Sequence, residues 1–167
     1  CMFYVPDMDS SHMFDYLTNG GVPKDPYLFI TVPGIADAHL MPLGKDLFMV
    51  GIPAPNDLAK VDQCNKLLDL AEDVAENKLF PEIRGAVIKK QRSIVTQTSL
   101  LTGRATGECI GLAQEVGQTG TKKPRCETPV HGLYLVGSDA GGRGIGTECA
   151  AESALHLYRI LTYHMNS

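Results

Sequence analysis

The sequence has no tryptophan, no basic run and no long hydrophobic run. Lysine and arginine form no run longer than the pairs Lys89-Lys90 and Lys122-Lys123, and the formal net charge is −4 at pH 7, so we expect no nucleic-acid partner. The apolar runs fall far short of the roughly 20 residues that a membrane helix needs, so we expect no transmembrane segment. With 44% apolar residues among 167, the chain is nevertheless long enough to bury a core.

The five cysteines form no C-x-x-C pair, and no histidine stands at zinc-ligand spacing from them, so we expect no metal site. Scattered, odd-numbered cysteines are typical of reduced thiols, which indicates a cytoplasmic location. The opening "CMFYVPDMDS" lacks the basic start and long apolar core of a signal peptide. Its strand-like character predicts that the chain is entered within a domain, although a processed terminus would have the same pattern.

Three short segments near the start have the composition of strands. They are "CMFYV", "PYLFITVP" and "LFMVGIPAP", rich in aromatic and β-branched residues and bounded by proline. The second and third are joined by one loop, which predicts antiparallel pairing. A short helix beginning near Asp9 or Ser10 is expected between the first two.

Apolar residues recur every three or four positions over residues 61–80, which predicts an amphipathic helix. Residues 83–96 are predicted as a further strand, and residues 100–125, which carry five glycines, as a loop with short helical turns. The order of elements predicts an α+β fold, with helices packed on an antiparallel or mixed sheet.

The stretch "GLYLVGSDAGGRGIGTECAAES" begins with an apolar run, continues through a glycine cluster and ends in a helix-like segment. The run predicts a strand buried on both faces, and the helix is expected to begin at Gly146 or Thr147. The helix should pack through an apolar stripe. The stripe comprises Ala150, Ala154, Leu157 and Leu161. A glycine-rich turn between strand and helix presents backbone N–H groups and the positive end of a helix dipole.

Several interpretations of this turn compete. A P-loop would require a lysine, and none lies between Gly137 and Thr147. A dinucleotide fingerprint requires G-x-G-x-x-G, whereas Gly142, Gly144 and Gly146 are spaced as G-x-G-x-G, and no second strand with an acidic residue follows. The glycines could also serve only a tight turn. The strand and the helix on either side of this turn are therefore expected to belong to a parallel sheet whose other strands the sequence does not obviously contain.

The segment "GLYLVGSDAGGRGIGTECAAESAL" resembles the C-terminal flavin-contacting motif of FAD-dependent oxidoreductases of the phytoene desaturase, retinol saturase and flavin amine oxidase superfamily. The segment "PYLFITVPGIADAHLMPLGKDLFMVGIPAPND" resembles the substrate-domain strands of phytoene-desaturase-like proteins, and "GECIGLAQEVGQTGTKKP" resembles the segment before their final strand. The resemblance implies part of a substrate-binding domain over residues 1–129. It also implies the last strand and helix of a Rossmann-like FAD-binding domain over residues 130–167.

Carried over by position, the resemblance implies FAD-contacting residues in the glycine turn. They are Gly137, Ser138, Asp139, Arg143, Gly144, Ile145, Gly146 and Thr147. Asp139 would lie beside the ribityl chain or the pyrophosphate, although Ser138 is inserted before it relative to many relatives, which could shift that role by one residue. The G-x-G-x-x-G unit that holds the ADP half of FAD is absent from this sequence. We therefore expect the 167 residues alone to be inactive and not to bind FAD tightly.

The implied activity is hydride transfer between FAD and an apolar, polyene- or isoprenoid-like substrate, within a longer protein. Two alternatives remain: a flavin amine oxidase, and a non-enzymatic binding or assembly module. No catalytic residue is singled out, because the flavin itself carries the hydride chemistry. Surfaces exposed by the missing domain lead us to expect homodimerisation, and an apolar substrate is compatible with peripheral membrane association.

Overall fold

A computed structural model describes residues 1–108, 111–113 and 115–165, except for the side chains of residues 121, 164 and 165. The chain divides into two compact units, unit 1 over Cys1–Glu108 and unit 2 over Cys109–Ser167. The expected functional division at residues 129 and 130 stays a prediction.

Unit 1 contains a three-stranded antiparallel sheet of β1 (Met2–Tyr4), β2 (Leu28–Thr31) and β3 (Met49–Gly51), in that spatial order. The pairs Tyr4 with Leu28 and Ile30 with Val50 fix the register. The strand predictions and the antiparallel pairing are confirmed.

The sheet has one packed face and one exposed face, as the two-residue period of a strand requires. Leu28 and Ile30 of β2 are buried and form the core with Ala71 and Val74. Phe29 lies on the opposite face, where its ring meets that of Phe3 edge to face with centroids 5.2 Å apart.

The helices of unit 1 are α1 (Ser11–Asn19), α2 (Pro33–Ala36), α3 (Val61–Asp73) and α4 (Val95–Thr102). Helix α3 continues as a π-helix over Val74–Leu79 and buries Cys64, Leu67 and Ala71, so the predicted amphipathic helix over residues 61–80 is confirmed. The Gln63 side chain joins α3 to the end of α1 by donating to the backbone oxygens of Tyr16 and Gly21.

The strand predicted over residues 83–96 is wrong. This segment begins in a 3-10 helix (Pro81–Ile83), continues without regular structure and enters α4 at Val95. Arg92 donates to Asp69 and Glu72 of α3, both at 2.7 Å, so charged pairing rather than a β ladder holds the segment. The N–H of Ile94 donates to the side chain of Gln97 at 3.0 Å, which caps the start of α4 and favours a helix there.

In its described residues, unit 2 contains a 3-10 helix (Gly120–Lys122), a segment without regular structure, the glycine-rich turn and α5 (Thr147–Met165). The final helix is confirmed at its predicted start. The final strand is not formed in the described residues, where residues 133–136 have no regular secondary structure and only an isolated antiparallel bridge joins Tyr134 to Glu127. A regular strand requires a ladder of hydrogen bonds to a neighbour, and one bridge does not provide it.

The α+β class is confirmed by the small antiparallel sheet and the helices. Among the described residues, no helix combines the length and the apolar character needed to cross a bilayer.

Candidate functional site

The candidate site is the glycine turn, defined here as residues 137–146, which leads from residues 133–136 into α5. The turn packs against the first two turns of that helix. A Cβ at Gly142 would lie 3.0 Å from the backbone oxygen of Cys149 and 3.3 Å from the backbone nitrogen of Ser153. Glycine at position 142 therefore permits this close approach of turn and helix.

The first residue of the turn is fixed by Ser153 of α5, whose side chain is fully buried. Its hydroxyl accepts from the Gly137 N–H at 2.9 Å and lies 3.0 Å from the Gly137 oxygen. Ser153 thus satisfies the Gly137 N–H, while its own proton can go to the Gly137 oxygen or to the Ala150 oxygen at 2.8 Å. The Gly137 oxygen also accepts the Ala140 N–H at 3.3 Å.

Beneath the turn lies the ammonium group of Lys123, whose exposed fraction is 3%. Its Nζ is 3.3 Å from the Ser138 oxygen, 3.4 Å from the Gly144 oxygen and 3.1 Å from the Cys149 sulfur. The sequence did not single out Lys123, because it is the second of a lysine pair, a pattern typical of solvated residues.

Cys126 and Cys149 are also buried in this cluster, and the described cysteines are free thiols. Burial raises the pKa of the Cys126 thiol, which donates weakly to the Ser153 oxygen at 3.6 Å. The thiol of Cys149 is 3.4 Å from the Ser138 oxygen. Small side chains four positions apart in α5, at residues 149 and 153, were the available sequence signal for this cluster.

The predicted packing stripe of α5 is therefore wrong in its orientation. Cys149 and Ser153 are fully buried, whereas Ala150 and Leu157 of the stripe are half-buried and Ala154 and Leu161 are exposed. The turn must approach the helix closely, so the helix presents small and polar side chains to it rather than the apolar stripe.

The two charged residues predicted to contact the cofactor lie differently within the turn. The carboxylate of Asp139 accepts the N–H of Leu112 at 2.8 Å, which ties the turn to the preceding segment. The Arg143 N–H donates to the carboxylate of Glu152, while the Arg143 side chain is exposed.

The end of the turn leads into the N-terminus of α5. Gly146 adopts a φ of +59°, a Cβ there would meet no atom within 4 Å, and its oxygen accepts the Ala150 N–H at 2.9 Å. Ile145 and Thr147, its neighbours, are also exposed. The first N–H groups of a helix have no intrahelical acceptor and carry partial positive charge, so this end can bind an anionic or carbonyl group.

The donors of the glycine turn fit the polar edge of the flavin ring of FAD. The open backbone at Gly146, the α5 N-terminus and the exposed Arg143 provide donors for a polar edge or a phosphate. The turn gathers the predicted residues 137–139 and 143–147 into one short segment, but how FAD would lie on them stays a prediction.

No family model matches the chain. The chain is 31% identical over 146 residues to a zeta-carotene-forming phytoene desaturase from Myxococcus xanthus, an alignment that covers 83% of this chain and 28% of the relative. The chain thus spans about a quarter of the length of the curated relative it matches. The similarity confirms the resemblance to phytoene desaturases, which belong to the FAD-dependent oxidoreductase superfamily.

Proposed function

We propose that the chain is the C-terminal part of a flavin-dependent oxidoreductase that transfers hydride between FAD and an apolar, polyene-like substrate. The observation that carries the proposal is the glycine turn, which leaves the Gly146 backbone open at the N-terminus of a 19-residue helix. The similarity to a phytoene desaturase supports the same class.

FAD, when bound, would supply the hydride acceptor or donor. The chain's own contribution would be to bind and orient it. The backbone of residues 144–147 would face the pyrimidine edge of the flavin, where the helix N-terminus favours negative charge by about 0.3–1 kcal/mol, or up to about 2 kcal/mol when partly buried. Asp139, held by the Leu112 N–H, would serve the ribityl chain or pyrophosphate.

An apolar substrate is supported by the outer face of the sheet in unit 1. Phe3 is 68% exposed there, and Phe29 and Met49 are also exposed. An apolar sheet face of this kind can line a cavity for a hydrocarbon chain. An amine substrate would instead call for an aromatic cage, and aromatic residues make up only 7% of the sequence, with no tryptophan.

The test is flavin content in the full-length protein that contains this chain. We expect bound FAD, with absorbance at about 450 nm, that is released on denaturation. Gly146→Ala, which places a side chain on the open backbone at positive φ, should lower the FAD content. The matched control is Gly44→Ala, because Gly44 also has a positive φ and no atom within 4 Å of its Cβ position, but lies in unit 1.

A colourless full-length protein without extractable FAD would contradict the proposal and favour a non-enzymatic binding module. The isolated 167 residues should show no sub-micromolar affinity in an FAD titration, because the G-x-G-x-x-G unit for the ADP half is not in this sequence. Tight binding by this chain alone would show that the glycine turn needs no such unit.

A further inference from the structure

Lys123 differs from its neighbour Lys122 in environment. Lys122 is exposed, whereas Lys123 is almost fully buried beneath the glycine turn. A buried ammonium group is costly unless its donors are satisfied and its charge is compensated.

The three donors of the Lys123 ammonium meet three acceptors: the backbone oxygens of Ser138 and Gly144 and the sulfur of Cys149. The two carbonyls lie near the two ends of the glycine turn, and Cys149 lies in the first turn of α5. A single side chain therefore links both ends of the turn to the start of the helix.

The charge of Lys123 has no carboxylate opposite it in the described part of the chain, where the ion pairs within 4.0 Å include none with this residue. Its partners are dipoles and a thiol. A positive charge is thus held inside unit 2, next to the N-terminus of α5, whose own partial charge has the same sign.

A positive charge beside the positive end of a helix dipole is unfavourable, and a bound anion would offset it. The carboxylates of Asp139 and Glu152 accept the backbone N–H groups of Leu112 and Arg143 instead. Resting on the function proposed above, we infer that Lys123 is a positioning residue for the flavin. Its ammonium holds residues 138–144 in their ligand-binding conformation, and its charge favours the anionic reduced flavin over the neutral oxidised form.

The test uses the full-length protein and Lys123→Met, which keeps a similar length and apolar stem but removes the charge. Lys122→Met is the control, because it removes a charge one residue away at an exposed position. The midpoint potential of bound FAD is measured by equilibration with a reference dye, together with the affinity for oxidised FAD.

We expect Lys123→Met to reduce the preference for reduced over oxidised flavin by about tenfold, which is about 30 mV for a two-electron couple. Lys122→Met should leave the potential unchanged. A Lys123→Met protein that binds FAD with the wild-type potential would overturn the inference.

Cys149→Asp keeps the test decisive if Lys123→Met does not fold. This substitution places a carboxylate at the third residue of α5, beside the ammonium, and neutralises the ammonium without leaving it unpaired. The potential should fall as with Lys123→Met, and an unchanged potential would again overturn the inference. A wild-type protein without FAD would contradict the proposed function itself, whereas an unchanged potential with FAD bound would contradict only the role of Lys123.

Discussion

The two units bury different kinds of side chain. The core of unit 1 is apolar, with Leu28, Ile30 and Leu67 almost fully enclosed. The described interior of unit 2 contains Lys123 and Ser153, which reach the backbone of the glycine turn. Apolar packing is non-directional and stabilises through area, whereas hydrogen bonds fix the direction of each group. A turn whose outer backbone stays open to a ligand can be held only from its inner side, and polar groups do this in unit 2.

The largest expected effect is on the apolar side of this comparison. Leu28→Ala removes a fully buried side chain from the core of unit 1 and should lower the free energy of unfolding by about 2–5 kcal/mol, measured by urea denaturation. Leu43→Ala is the control, because Leu43 is fully exposed, and it should change stability by no more than about 0.5 kcal/mol. Equal losses in the two variants would contradict an apolar core as the basis of unit 1.

The polar side of the comparison is tested with Ser153→Ala. The variant leaves the N–H of Gly137 without its acceptor and should cost about 1–3 kcal/mol. Hydrogen exchange should accelerate over residues 137–146 and remain unchanged in β2. The control is Ser93→Ala at an exposed position. If exchange accelerated equally in both units, the turn would not be held separately by this contact.

The smallest effect concerns the charged surface of unit 1. The hydrogen bond from Arg92, with the charges of Arg92 and Lys90, lowers the pKa of Glu72 from its ordinary 4.5. A carboxylate with a lowered folded-state pKa stabilises the fold above its unfolded-state pKa, and this contribution is lost as the pH falls through the folded-state value. Because the pair is partly exposed, Arg92→Met should cost less than about 1 kcal/mol at pH 7.

The stability difference between Arg92→Met and the wild type should narrow as the pH falls below 4.5. Lys89→Met, an exposed neighbour, should show no such pH-dependent difference. A difference that stayed constant down to acid pH would mean that packing of the Arg92 stem, rather than its charge, stabilises the segment.

The elements of unit 1 that local sequence specifies were predictable. Strand β2 contains residues of high β propensity and is bounded by Pro26 and Pro33, and α3 has a clear helical period. The conformation of residues 83–96 was not predictable from propensity, because it depends on contacts with residues distant in sequence. Arg92 pairs with acidic residues of α3, some 20 positions earlier, and this pairing does not appear in any local pattern.

The candidate site was predictable in position but not in construction. The glycine spacing located the turn and the start of α5. Lys123 and Ser153 could not be identified, because a lysine and a serine are usually solvated and only the folded backbone shows which carbonyls they meet. The orientation of α5 followed from the same contacts, which override the helix's own apolar pattern.

Cys149, fully buried below the glycine turn, has a kinetic consequence. A thiol reagent can reach its sulfur only when the turn and α5 separate, so the rate of its modification measures how often that separation occurs. Cys1 is exposed and should react at once, providing an internal reference in the same molecule. The modification rate of Cys149 relative to Cys1 therefore reports how often the turn opens, and a ligand that holds the turn closed should lower that rate.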